Sequence, residues 1–383
     1  MKKKAMSLLL AAAMTATLFA GCGSDNGAAS NDSTTGNDAV KESTEAGTSD
    51  NAGSTDGYEL ALVIDVGTID DKSFNQGSWE GVQKYGDENG IAYKYYKSAE
   101  ATTDSFQETI ELAIEGGAKV IVCPGYLFEE PIYNMQTAHP DVKFILIDGE
   151  PHDADYNYET ADNTMAVLYQ EDQAGFLAGY AAVKDGYTKL GFMGGMALPA
   201  VIRYGYGYLA GADYAAKELG VDVDVTYTYT GSFDATPEAK SMATGWYQSG
   251  TEVIFACGGS VGNSVMAAAE ESENGKVIGV DVDQSSESDT VITSSMKMLS
   301  NSVYTAITEA YDGTFAGGKT TTFDASNDGV GLPMDTSKFS AFTQEDYDAI
   351  YAKLVAGEIT IDNDTTKEVT DLNLSNVTVN YVQ

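Results

Sequence analysis

The chain of 383 residues carries 58 Asp and Glu against 21 Lys and Arg, a formal net charge of -37, and 43% of its residues are hydrophobic. That length suits two cores of ordinary size better than one. The charge excludes nucleic acid and anionic lipid headgroups as partners, and the single arginine, Arg203, leaves no guanidinium cluster to capture carboxylate or phosphate ligands.

In chain order, residues 1–22 read as an export signal. Lys2, Lys3 and Lys4 give a positive start, an apolar stretch follows from Met6 to Phe19, and small residues precede Cys22. The stretch is shorter than the ~20 apolar residues of a membrane span. Phe19-Ala20-Gly21-Cys22 resembles the lipobox of bacterial lipoproteins, with Phe19 where leucine is usual, so Cys22 is the expected lipidation site and membrane anchor. Residues 23–57 are Ser, Thr, Asn, Asp, Gly and Ala with almost no large apolar side chain; they cannot bury a core and are expected to form a disordered tether.

Beyond the tether, apolar β-type runs alternate with amphipathic helical stretches. A strand is predicted at 60–64, a helix at 75–90, a strand at 93–96, a helix at 105–115, strands at 120–123 and 144–147, and a short helix at 131–138. The pattern then restarts: helix 172–183, strand 189–193, helix 200–219, strand 223–230, helix 237–249, strand 253–256, helix 262–271 and strand 277–280. Helix 297–311, strand 329–332 and helix 344–356 are too few for a third domain and complete the first two. Strands that are apolar throughout indicate parallel sheets covered on both faces. The expected fold class is therefore α/β, in two lobes: 58–163 with 288–318, and 164–287 with 319–362, leaving 363–383 as a tail that adds a strand or trails free. Several crossings between lobes would make a hinge.

Cys123 and Cys257 each follow their own strand and are expected as buried free thiols; a disulfide locking the cleft is the alternative. His139 and His152, the two histidines, sit in polar, turn-like surroundings and are expected at the surface. Neither completes a base and nucleophile pair, and no nucleophile elbow, zinc-protease helix or P-loop is present, so no catalysis, metal or cofactor is expected.

The segment from Asp65 to Asn75 follows the first strand and leads into the first helix, where open α/β sheets bind ligands. Its aromatic ring, amide and carboxylates suit a flat, polar, uncharged molecule. Gly258 and Gly259, between a strand and a helix, offer exposed amides to polar oxygens. These segments, with Gly191-Phe192-Met193-Gly194-Gly195-Met196, Gly231-Ser232-Phe233-Asp234, Gly279-Val280-Asp281-Val282-Asp283-Gln284 and Thr293-Ser294 ahead of Lys297, resemble the basic membrane protein (BMP) family, the purine-nucleoside-binding lipoproteins of ABC importers. The resemblance runs from about Tyr58 to Ile361.

It implies a type I periplasmic-binding-protein fold: two Rossmann-like lobes around a cleft. It further implies that Phe74 and Phe233 stack on opposite faces of a base, and that Asp65, Asn75 and Asp148 bond the base edges. Asp281 would accept from the ribose hydroxyls, and Lys297, Gly258 and Gly259 would donate to sugar oxygens. Taken singly, the two phenylalanines also read as core residues, Asp148 and Asp281 as caps or turn formers, and Asp70, Asp71 and Lys72 as turn and helix-start residues; Arg203 and Tyr204 fall in the segment after Pro199 that borders the family's cleft, and an exposed helix face explains them about as well. The expected protein is a monomeric, extracytoplasmic binder that hands a nucleoside to an ABC permease. A sensory lipoprotein, a sugar or quorum-signal binder and a nucleoside-converting enzyme are the alternatives.

Overall fold

The computed structural model describes residues 57–382; the expected export signal with Cys22 and nearly all of the tether lie outside them. In chain order the elements are β1 (Leu60–Ile64), α1 (Phe74–Asn89), β2 (Tyr93–Lys97), α2 (Thr103–Glu115), β3 (Val120–Pro124), α3 (Glu129–Ala138), β4 (Lys143–Ile147), β5 (Thr164–Tyr169), α4 (Glu171–Lys184), β6 (Lys189–Gly194), α5 (Pro199–Leu219), β7 (Val223–Tyr229), α6 (Pro237–Gln248), β8 (Val253–Cys257), α7 (Val261–Glu270), β9 (Lys276–Asp281), β10 (Val291–Lys297), α8 (Leu299–Asp312), β11 (Lys319–Phe323), β12 (Val330–Gly331), α9 (Gln344–Val355) and β13 (Val377–Tyr381).

Local chemistry explains most of these boundaries. The Asp71 carboxylate accepts the N–H groups of Ser73, Asn75 and Gln76 and so caps α1, which Gly90 ends in the left-handed conformation at φ 67. Thr102, Thr236 and Thr343 cap α2, α6 and α9 through their hydroxyls, and Pro199 and Pro237 occupy the first turns of α5 and α6.

The strands form two sheets, β11-β5-β4-β3-β1-β2 and β12-β10-β9-β8-β6-β7-β13. All pairs are parallel except β10 with β12. Each sheet is covered on both faces. In the first lobe Ala61 and Val63 face Phe106, Phe128 and Ile132 of the α2–α3 side, whereas Leu60, Leu62 and Ile64 join Trp79, Val82 and Val303 of α1 and α8. In the second lobe α6 and α7 cover one face, and α4 packs along α5 on the other.

The chain passes between sheets at 169–171, 297–299 and 323–330. These positions shift the expected lobe boundaries. β5 was expected to open the second lobe and instead pairs with β4; β10 was expected in the first lobe and pairs with β9; β11 was expected in the second and pairs with β5. Thr293-Ser294-Ser295 gives β10 a polar surface reading, yet all three residues are buried. Polar composition hides this strand although its partner β9 is the preceding strand. Likewise residues 377–381 are part of the fold, pairing in parallel with β7.

Candidate functional site

Both sheets end their central strands on one cleft of about 460 Å³, lined by residues of both lobes. In each sheet strand order reverses direction beside the cleft, around β1–β3 and β6–β8, the place where open α/β sheets bind ligands. All nine residues singled out from the sequence as ligand contacts line it: Asp65, Phe74, Asn75, Asp148, Phe233, Gly258, Gly259, Asp281 and Lys297.

From the first lobe, Asp65 at the end of β1 and Asn75 in the first turn of α1 come together around Gly67, where a Cβ would lie 2.8 Å from both side chains. Asp65 also accepts the Gly67 N–H at 2.8 Å. Burial raises its pKa, and the hydrogen bonds from Gly67 and Asn75 oppose that rise. Phe74, half-buried, borders the same space. From the second lobe, Phe233 crosses the paired strand ends at Gly195, where a Cβ would lie 2.4 Å from its ring. Gly258 approaches Gly195 so closely that a Cβ would meet its amide at 2.6 Å.

Asp148 and Asp281 end β4 and β9 with φ of 62 and 68, the left-handed region in which Asp is among the less disfavoured residues. They are turn formers whose carboxylates border the cleft. Asp281 accepts from Ser73 Oγ at 2.5 Å and from Tyr204 Oη at 3.4 Å, so a ribose would share it with two protein hydroxyls. Burial pushes Asp148 up to about 6 against the pull of Lys297, and it also raises Asp281. One oxygen of Asp148, Oδ1, is buried without a hydrogen-bond partner, an acceptor awaiting a donor.

Lys297 departs most from expectation. Its ammonium is 2% exposed, bonded to Asp148, 3.2 Å from Glu171 Oε1, and 5.1, 5.2 and 5.4 Å from the rings of Phe74, Tyr169 and Tyr204. Burial opposes its charge, but Asp148, Glu171 and Asp281 raise its pKa above the ordinary lysine range. Its ammonium is a structural cation held between the buried carboxylates.

One residue of this lattice escaped sequence reading. Glu171, fully buried at the start of α4, receives Arg203 Nε at 2.6 Å; burial would raise its pKa, yet Lys297 and Arg203 hold it below the usual carboxylate range. An acid opening an otherwise apolar helix, in a chain with one arginine, was the available signal. Arg203 is thus a cleft-lining partner of Glu171, and Tyr204 is buried at the Asp281 carboxylate, so neither is an exposed helix face.

His152, expected at the surface, is buried beside Glu129 with its Nε2 3.2 Å from Oε2, and Tyr156 stacks on its ring at 4.6 Å. Turn-like sequence does not reveal that the loop folds back onto α3. His139 pairs with Glu111 at 2.8 Å. Cys123 and Cys257 are free and buried, on strands of different sheets.

The model of ABC transporter substrate-binding proteins, PnrA-like (Bmp), matches residues 58–365. The chain is 30% identical to the ABC transporter nucleoside-binding protein BmpA of Lactococcus lactis subsp. cremoris, over 79% of this chain and 88% of that one. It is 31% identical to basic membrane protein A of Borreliella afzelii, over 79% and 91%. Among solved structures it resembles an ABC transporter solute-binding protein of Aeropyrum pernix K1, with a TM-score of 0.68 and 24% identity over 79% of this chain and 92% of that one, a likeness of fold.

Proposed function

The chain belongs to the PnrA-like (Bmp) family of ABC transporter substrate-binding proteins, and from that premise we propose that it captures a nucleoside, with purines the expected class, and delivers it to an ABC permease by closing its cleft. The observation that carries this reading is the pair Phe74 and Phe233, which come from different lobes and border one cleft beside the Asp65–Asn75 pair. Two rings can sandwich a heterocycle, and a neighbouring carboxylate and amide supply both acceptor and donor to its edge. The relative from Lactococcus is a nucleoside-binding protein by name, which points the same way.

The charges favour a neutral ligand. Lys297 and Arg203 stand against Asp148, Glu171 and Asp281, so a phosphate would enter a site with more carboxylates than cations. Asp281 accepts from ribose hydroxyls and the unpartnered Asp148 Oδ1 from a base donor. Lipid on Cys22 holds the protein, as a monomer, at the outer face of the cell membrane.

Calorimetric titration with inosine, guanosine, adenosine, cytidine, AMP and free ribose tests the reading. Purine nucleosides should bind one per chain, with AMP weaker. Binding of ribose alone, or of AMP above adenosine, would refute it. Inosine recovered unchanged by chromatography after incubation sets aside nucleoside turnover.

A further inference from the structure

A further set of hydrogen bonds joins the lobes through residues the nucleoside reading leaves without a role, and reaches the cleft at Asp281. Gln284 follows β9, is 1% exposed, and spans the cleft's edge with its side chain. Its Oε1 accepts the Val280 N–H of its own lobe at 3.0 Å, and its Nε2 donates to the carbonyl of Lys72 in the other lobe at 2.6 Å. The main-chain N–H of Gln284 donates to Ser294 Oγ at 3.0 Å, which fixes the turn carrying it.

Lys72 presents that carbonyl from a left-handed conformation, φ 61, which a non-glycine residue adopts only when its surroundings impose it. The next residue, Ser73, is wholly buried and donates across the same seam to Asp281 Oδ2. A Cβ on Gly77 would lie 2.8 Å from Val282 Cγ1, so the start of α1 lies directly against the 281–284 turn. Both hydrogen bonds run from one lobe to the other.

We propose that Ser73 and Gln284 form a closure latch: the Gln284 amide holds Lys72 O only in the closed form, and the same closure brings Ser73 onto Asp281 and orients that carboxylate for the ligand. The inference deepens the nucleoside reading and, for its ribose contact, rests on it. Ser73 and Gln284 are positioning residues that act through Asp281 and the α1 turn. The ammonium of Lys72, 3.9 Å from Glu287 and half-exposed, adds little, because exposed ion pairs of this kind contribute weakly. The latch is the Lys72 carbonyl.

The test measures association and dissociation of inosine by stopped-flow fluorescence with the complete protein. Ser73→Ala removes the donor to Asp281 without adding charge; Gln284→Glu keeps an acceptor for Val280 and sets a buried carboxyl group against the Lys72 carbonyl in place of the donor; Lys72→Ala removes the ammonium. Gln284→Glu and Ser73→Ala should each release inosine about five- to tenfold faster, the loss expected for one buried hydrogen bond. Association of Ser73→Ala should not slow by more than about twofold, while Lys72→Ala should match the parent throughout.

Unchanged release in both Gln284→Glu and Ser73→Ala overturns the latch. So does faster release by Ser73→Ala matched by slower association and far-UV circular dichroism changed from the parent's, which marks general structural damage. If the parent protein binds no inosine, the nucleoside reading fails separately. Small-angle scattering of the ligand-free proteins then decides the latch, a larger radius of gyration for Gln284→Glu than for the parent supporting it and equal radii overturning it.

Discussion

Phe74 and Phe233 each leave part of a ring toward the cleft while the rest packs on the core, so truncation removes a stacking surface with little loss of internal packing. Base–aromatic stacking contributes about 1–3 kcal/mol per base. Phe74→Ala and Phe233→Ala should therefore each weaken purine nucleoside binding at least about tenfold by calorimetry, with far-UV circular dichroism unchanged. Lys297 should behave differently. Lys297→Met leaves Asp148 and Glu171 buried without their shared cation, and stranding a buried charge costs about 3–5 kcal/mol, so urea unfolding should show a large loss of stability as well as of binding. At this scale the sequence was informative about which residues reach the cleft, since most lie at or just past a strand end and Phe74 and Asn75 open the helix that follows β1. It was uninformative about what they touch there, because the Lys297 partners come from positions 148 and 171, and nothing local marks them.

The closest approach of elements is between α4 and α5, which meet through glycines. A Cβ on Gly175, Gly179, Gly207 or Gly211 would lie within 2.1 Å of a backbone carbonyl of the facing helix. Backbone cannot yield as a side chain can, so Gly207→Ala, aimed 2.0 Å from the Asp172 carbonyl, should destabilise by at least about 1–3 kcal/mol in urea titration. Gly245→Ala in α6 is the control. Nothing lies within 4 Å of its Cβ, and replacing a helical glycine in open space should stabilise by about 0.5–1 kcal/mol. Helices and fully apolar strands were legible because period and apolar runs are local properties. β5, β10 and β11 were not, because β10 and β11 are polar in composition and β11 takes its place beside β5, a strand about 150 residues earlier.

For the molecule as a whole, buried carboxylates set the pH response. Burial raises Asp71, Asp148 and Asp172 to about 6 and Glu129 to about 7. Between their ordinary range near 4 and these values the folded protein holds more protons than the unfolded chain, so their contribution falls as pH rises through that window. Glu171, held below the usual range, acts oppositely and loses its contribution only in stronger acid. Thermal melts should therefore show a higher midpoint at about pH 5 than at about pH 8, a difference reinforced by partial neutralisation of the net charge of -37; a midpoint that rises toward pH 8 would contradict this assignment of buried protons. The amino-acid sequence by itself determined the α/β class, the element types and the strand-end positions of the ligand-facing residues, because hydrophobic period and turn chemistry act over a few residues. Only the tertiary structure decided which strands share a sheet, where the chain crosses between lobes, and which charges meet at Lys297, Glu171 and Arg203. Those outcomes depend on backbone pairing and burial between segments from about 14 residues apart, as in β9 with β10, to 149 apart, as in Asp148 with Lys297, where the cost of an unpaired buried group selects the partner and no local pattern records it.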